Sequence, residues 1–78
     1  MKTKAINSLS IRNIEFINNS IMFIHLDNDR TFLVPLDKFP AIKNLTPAQK
    51  KEYEIIDEQN LSFIAIDDIY SLNDLIGI

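Results

Sequence analysis

His25 is the one histidine in the 78 residues, and so the one side chain that changes charge near neutrality without help from its surroundings. General acid–base catalysis or metal ligation would have to start from it. Its neighbours Ile24 and Leu26 are apolar, and no second histidine and no cysteine exists to share a metal. His25 therefore reads as a structural or surface residue. Asp27 and Asp29 have the acid spacing with which a calcium loop opens. Such a loop needs further oxygen ligands and a closing glutamate, and Arg30, Thr31 and Phe32 interrupt it. Turn formation explains this pair better. Asp67 and Asp68 are the other carboxylates to weigh, since paired acids can divide the roles of proton donor and acceptor. Adjacent residues leaving a strand point in opposite directions, so these two read as a strand end that accepts hydrogen bonds from loop amides. With a single glycine there is no phosphate-cradling loop either, and the expectation is a protein that is not an enzyme and carries no cofactor and no metal.

The remaining charged set is basic. Arg30, Lys38, Lys43, Lys50 and Lys51 are a candidate patch for contacting phosphates. The whole chain, however, carries a net charge of −3 and lacks aromatic residues interleaved with the lysines, which favours a solvated face over a nucleic-acid interface. An acidic balance of this kind attracts neither nucleic acid nor an anionic membrane surface.

These residues must be positioned by elements that the pattern of the chain reveals. Ile11–Ile17 is rich in β-branched and aromatic residues, with Ile14 and Phe16 on one face and Asn13 and Glu15 on the other, the alternation of a half-buried strand. Asn18 and Asn19 accept positive φ and supply a hairpin turn. Residues 20–26 are nearly continuously apolar, a central strand with Met22, Ile24 and Leu26 on one side and Ile21, Phe23 and His25 on the other. Residues 27–29 turn the chain again into a third strand over residues 31–34, which Pro35 ends or marks as an edge. A three-stranded meander follows.

Asp37 is the expected N-cap of a helical turn over residues 38–43, with Phe39 and Ile42 buried. Thr46, Pro47 and Gln49 form the signature of a capping box, so a helix begins at Pro47 and is expected to run to about residue 54. Ala48, Tyr53 and Ile56 are its candidate inner positions, while Gln49, Lys50, Lys51 and Glu52 suit water. A competing reading stops the helix near Glu52 and makes Tyr53–Ile56 a strand. Residues 57–60 are a loop and 61–66 a last strong strand, after which Ser71 caps a closing turn with Asp74 as its N3 partner, Leu72, Leu75 and Ile76 as apolar contacts and Gly77 as its stop. Residues 1–10 read as a ragged lead-in, with Ile6 and Leu9 available to pin it.

The fold class expected is thus α+β: a small antiparallel sheet, a three-stranded meander plus a later strand, with one or two short helices on one side. Seventy-eight residues make one domain over 1–78. A chain of this length buries only about 60% of the surface its unfolded form exposes, so association with a second copy would add to a modest core. Absence of cysteine removes disulfides and thiol chemistry. The basic start, MKTK, is followed by no signal-peptide core, because Asn7 and Ser8 interrupt residues 5–9, and no apolar run reaches the length of a membrane span. A cytoplasmic, bacterial setting is expected.

The ordered set DNDRTFLVPLDKFPAIKNLTPAQKKEY, followed by LSFIAIDDIYSLNDLIG, resembles the bacterial and phage family called domain of unknown function 2442. Its features look like residues 28–30, Val34 to Leu36 with Pro35 between, Phe39 and Pro40, Thr46 and Pro47, Phe63, Asp67, Ser71, and Leu75 with Ile76. The resemblance covers residues 11–77. This chain departs from the pattern at Asp29, where a Gly is usual, at Phe63, where a Trp is usual, and in an acidic triplet reduced to Asp67 and Asp68. The resemblance implies a small α+β fold and no known activity. It also implies a short free-standing protein, sometimes paired with a second small protein in a toxin–antitoxin-like arrangement, and in some members a following helix-turn-helix domain, which a sequence ending at Ile78 is not expected to carry.

The function expected is a non-enzymatic protein–protein interaction module, as a homodimer or as the partner of a neighbouring gene product. Its candidate surface is Ile21, Phe23, Pro35 and Phe39, because an uncovered apolar strand face marks an interface more often than an accident. The alternative is an accessory nucleic-acid-binding domain that uses the basic residues.

Overall fold

The computed structural model describes residues 9–77, so the expectation for Ile6 lies outside the described residues. Three strands, β1 (Ile11–Ile17), β2 (Ile21–Leu26) and β3 (Thr31–Pro35), form one antiparallel sheet in that order. Both turns follow from residues that tolerate the left-handed region. Asn18 and Asn19 take φ of 54° and 62°, and Asp29 takes 67°. Ser20 donates its N–H to the Ile17 carbonyl to close the first loop, and Asn28 Oδ1 accepts the Arg30 N–H in the second. The register shifts between Ile11 and Asn13, so Arg12 is an extra residue on β1, and this bulge lets Ile11 as well as Ile14 face the core.

Leu36–Lys38 follows as a 3-10 turn, and α1 (Pro40–Lys43) starts after Phe39. The expected Asp37 cap is not made: Pro40 sits at the first helical position without a side-chain cap, and the Asp37 carboxylate is taken by the Lys43 ammonium at 2.5 Å. Helix α2 (Pro47–Lys51) carries the full capping box. Thr46 Oγ1 accepts the Gln49 N–H at 3.1 Å, and Gln49 Oε1 accepts the Thr46 N–H at 2.9 Å.

The expected continuation of this helix to residue 54 is corrected. The chain leaves the helix at Glu52, and Tyr53–Ile56 is β4, antiparallel to β5 (Asn60–Phe63) through a turn in which Asp57 and Glu58 take φ of 50° and 67°. The β-branched pair Ile55 and Ile56 finds ladder partners in Leu61 and Asn60, a tertiary gain that a second helical turn of few apolar residues does not offer. The last strong strand is also shorter than expected: it ends at Phe63, and Ile66 donates its N–H to the Phe63 carbonyl to close a turn.

A three-residue strand, β6 (Ile69–Ser71), then pairs with β5. The later strand is therefore not a fourth member of the first sheet. It belongs to a second three-stranded antiparallel sheet, β4-β5-β6, and the class is α+β with two sheets. Helix α3 (Leu72–Ile76) closes the described chain. Ser71 Oγ accepts the Asp74 N–H at 3.1 Å, and Gly77, at φ 82°, ends the helix in the left-handed conformation.

One apolar core joins the sheets. Met22, Ile24, Leu26 and Val34 from the first meander and Leu36 from the turn after it are fully buried with Leu61 and Phe63 from the second sheet and Ile42 and Leu72 from the helices. Phe63 is central, its ring 6.2 Å from Phe16 and 6.3 Å from Tyr53. Hydrogen bonds from the β1 backbone bridge to the second sheet and its turn: the Ile11 N–H donates to the Glu58 carbonyl at 2.7 Å, and the Ile14 N–H to the Tyr53 hydroxyl at 3.4 Å. No helix among the described residues is long and apolar enough to cross a membrane.

Candidate functional site

Register in the first sheet places nine side chains on the face turned away from the core. Ile17, Ile21 and Pro35 form one row across the strands, Glu15, Phe23 and Leu33 the next, and Asn13, His25 and Thr31 the third. Five of the nine are apolar and contiguous. Leu33 is 57% exposed and Ile17 41%, with Pro35 also exposed and Ile21 and Phe23 half-buried among their neighbours. The expected two-sidedness of β2 thus holds: Met22, Ile24 and Leu26 face the core, while Ile21, Phe23 and His25 face outward.

Three polar side chains of this face are tied together. His25 Nε2 lies 2.5 Å from Glu15 Oε1, and His25 Nδ1 lies 2.9 Å from the Thr31 hydroxyl. An ionised carboxylate only accepts, so Nε2 donates to Glu15. His25 meets these two partners on the strands flanking its own, and its ring also stands 6.4 Å from that of Phe23. Asp67 and Asp68, which the sequence puts forward as an acid pair, sit exposed in the β5–β6 connection, where Asp68 acts on the Tyr70 hydroxyl. Asp27 and Asp29 serve the turn: Asp27 Oδ1 accepts the Ser10 N–H, and Asp29 pairs with Arg12 at 3.1 Å. The Arg12 partnership spans 17 positions and has no local signal in the sequence.

Phe39 stands apart from Ile21 and Phe23. Half-buried, it meets Tyr70 edge-on at 5.8 Å and lines a hollow of about 420 Å³ with Leu33, Pro35, Lys38 and the end of α3. Leu33 and Pro35 therefore border both the outer face and this hollow.

The basic residues are distributed over different features. Arg30 borders a polar hollow beside His25, Lys38 lines the Phe39 hollow, and Lys43 holds Asp37. Only Lys50 and Lys51 share a feature, a cleft of about 630 Å³ between β1, α2 and β4. The expectation that Lys50 faces water is corrected, since it is 6% exposed, while Ala48, expected inside, is exposed. The short helix rotates Lys50 onto the aromatic floor of the cleft, where its aliphatic stem packs and its ammonium lies 5.6 Å from the centre of the Phe16 ring.

The arrangement defines a class: a small α+β protein of two three-stranded antiparallel sheets on one core, with an apolar outer sheet face and a separate lysine-floored cleft. The chain belongs to the family described as a protein of unknown function, DUF2442, whose model matches residues 11–76. No curated protein and no solved structure matches it.

Proposed function

We propose that the protein is a non-enzymatic protein-binding module that docks through the outer face of its first sheet, with a second copy of the chain as the occupant. The observation that carries this reading is the contiguous apolar band of Ile17, Ile21, Phe23, Leu33 and Pro35 on the outward face, exposed at Ile17, Leu33 and Pro35. Isolated exposed apolar side chains are normal, but a contiguous band on a sheet face costs free energy until it is covered. A two-fold axis between the two apolar rows sets Ile21 of one copy against Phe23 of the other. The same axis leaves the Asn13, His25 and Thr31 row at both rims, the apolar-centre, polar-edge layout of stable interfaces. For a chain of this size such pairing adds a second apolar layer to a limited core.

Nucleic-acid binding has less support, because Lys43 is engaged by Asp37 and Lys50 by Asn19. Light scattering coupled to gel filtration tests the proposal. The expected result is a dimer that Phe23→Glu and Leu33→Glu each convert to a monomer with an unchanged circular dichroism spectrum. A wild-type monomer that instead forms a complex with the product of the adjacent gene keeps the binding module and rejects self-association. A monomer that forms neither overturns the reading.

A further inference from the structure

We propose that the cleft between β1, α2 and β4 binds a small free carboxylic acid with an apolar body, its carboxylate held by the Lys50 ammonium. A lysine this buried is rare unless an anion offsets its charge. The contacts of the Lys50 ammonium are both to neutral groups: Nζ donates to Asn19 Oδ1 and lies over the Phe16 ring. An ammonium has three N–H donors, so the Asn19 contact leaves capacity for a bidentate acceptor.

The ion pairs among the described residues join Arg12 to Asp29 and Lys43 to Asp37, Glu15 is hydrogen-bonded to His25, and none of these includes Lys50. Glu15 does line the cleft, yet its carboxylate is drawn to His25 on the opposite face of the sheet. The cation is thus built into the floor of an open cleft without its counter-charge, and Lys51 on the rim adds to the positive potential. Ile14, Leu45, Pro47 and Tyr53 complete the walls with apolar surface. A volume of about 630 Å³ is in the range that holds a small organic molecule. An apolar wall around one convergent charge selects a ligand with one acid group on a hydrocarbon or aromatic body. This site uses the inward side of β1 and stands whether or not the outer face docks a second copy.

The test is a titration of the full chain, labelled with nitrogen-15, with phenylacetate and separately with the neutral isostere phenylacetamide, followed by amide chemical shifts. Saturable shifts centred on Phe16, Asn19, Lys50 and Tyr53 are expected, with phenylacetamide at least tenfold weaker. Lys50→Met should weaken phenylacetate at least tenfold and Lys50→Arg should retain it. Should Lys50→Met fail to fold, the acid–amide comparison on the wild-type chain decides alone. Equal binding of acid and amide, shifts scattered over Arg30 and Lys38, or no saturation by about 10 mM would overturn the proposal. So would an N-acetylated tripeptide ending in phenylalanine that binds tenfold tighter than phenylacetate, since the occupant would then be a peptide terminus.

Discussion

Asn19, in the loop between β1 and β2, accepts a hydrogen bond from the Lys50 ammonium on α2, so two residues 31 positions apart clamp the hairpin to the helix. The same asparagine holds φ at 62°, beside Asn18 at 54°. One residue therefore serves both the turn and the floor of the cleft.

Glycine substitutions separate those roles. Asn18→Gly relieves the left-handed backbone and leaves the clamp, and is expected to stay within about 0.5 kcal/mol of wild type. Asn19→Gly has the same backbone effect but removes the acceptor of a charged donor, and is expected to cost about 1–2 kcal/mol. Urea midpoints of the two variants measure the difference.

Helix caps make a second comparison. Thr46→Ala removes one half of a reciprocal pair with Gln49, and Ser71→Ala removes the acceptor for the Asp74 N–H. Each is expected to lower stability by about 1 kcal/mol. Thr46→Ser, which keeps the hydroxyl, should cost less than half of that in the same urea series.

Phe63 meets Phe16 across the two sheets and Tyr53 within its own sheet, so truncation there acts on the shared core. Phe63→Ala is expected to cost about 3–5 kcal/mol, comparable with the whole stability of a domain of this length, and to leave the chain largely unfolded at 37 °C. Phe63→Leu should remain folded with a lowered melting temperature. Near-ultraviolet and far-ultraviolet circular dichroism distinguish the two.

Ionisation sets the pH limits. The hydrogen bond from Lys43, and then its charge, hold the Asp37 carboxyl below its ordinary 3.8. A carboxyl lowered on folding contributes stability that is present above 3.8 and lost as pH falls through its folded value, so Asp37→Asn should flatten the acid limb of stability below about pH 4. Because Asp37 is fully exposed, the change should shrink as salt is added. Burial, and then the charge of Asp68, raise the Tyr70 hydroxyl above 10.0. Its contribution is present below 10.0 and lost as pH rises through the folded value, so Tyr70→Phe should resist alkaline unfolding better than wild type. Urea midpoints at acid and alkaline pH, with an absorbance titration of the phenol, measure both.

Local chemistry made much of this molecule readable in advance. The alternation over residues 11–26 placed Ile14, Met22, Ile24 and Leu26 inside and Phe23 and His25 outside, because a strand has only two faces and one residue per step. Asn18 and Asn19, the Thr46–Gln49 box, the Ser71 cap and the Gly77 stop were equally legible, since each acts within about four residues of itself. What escaped was decided at a distance. Ile69 to Ser71 is too short for a periodic signal and becomes a strand only because β5 offers it a ladder. Tyr53–Ile56 suits a helix or a strand by itself, and pairing with residues 60–63 chooses the strand.

The candidate sites divide in the same way. The outward face of the first sheet could be named from Ile21 and Phe23, but its extent, with Ile17 and Leu33 beside them, required the pairing register. The cleft was invisible, because Lys50 reads as a solvent residue in a polar helix until Asn19 and Phe16 are brought over it from another element. Sequence alone determined the strands of the first meander, its turns, the Thr46 and Ser71 caps, and membership of the DUF2442 family. Tertiary structure decided the second sheet and the buried lysine, because both are stabilised by contacts between segments that no local pattern encodes.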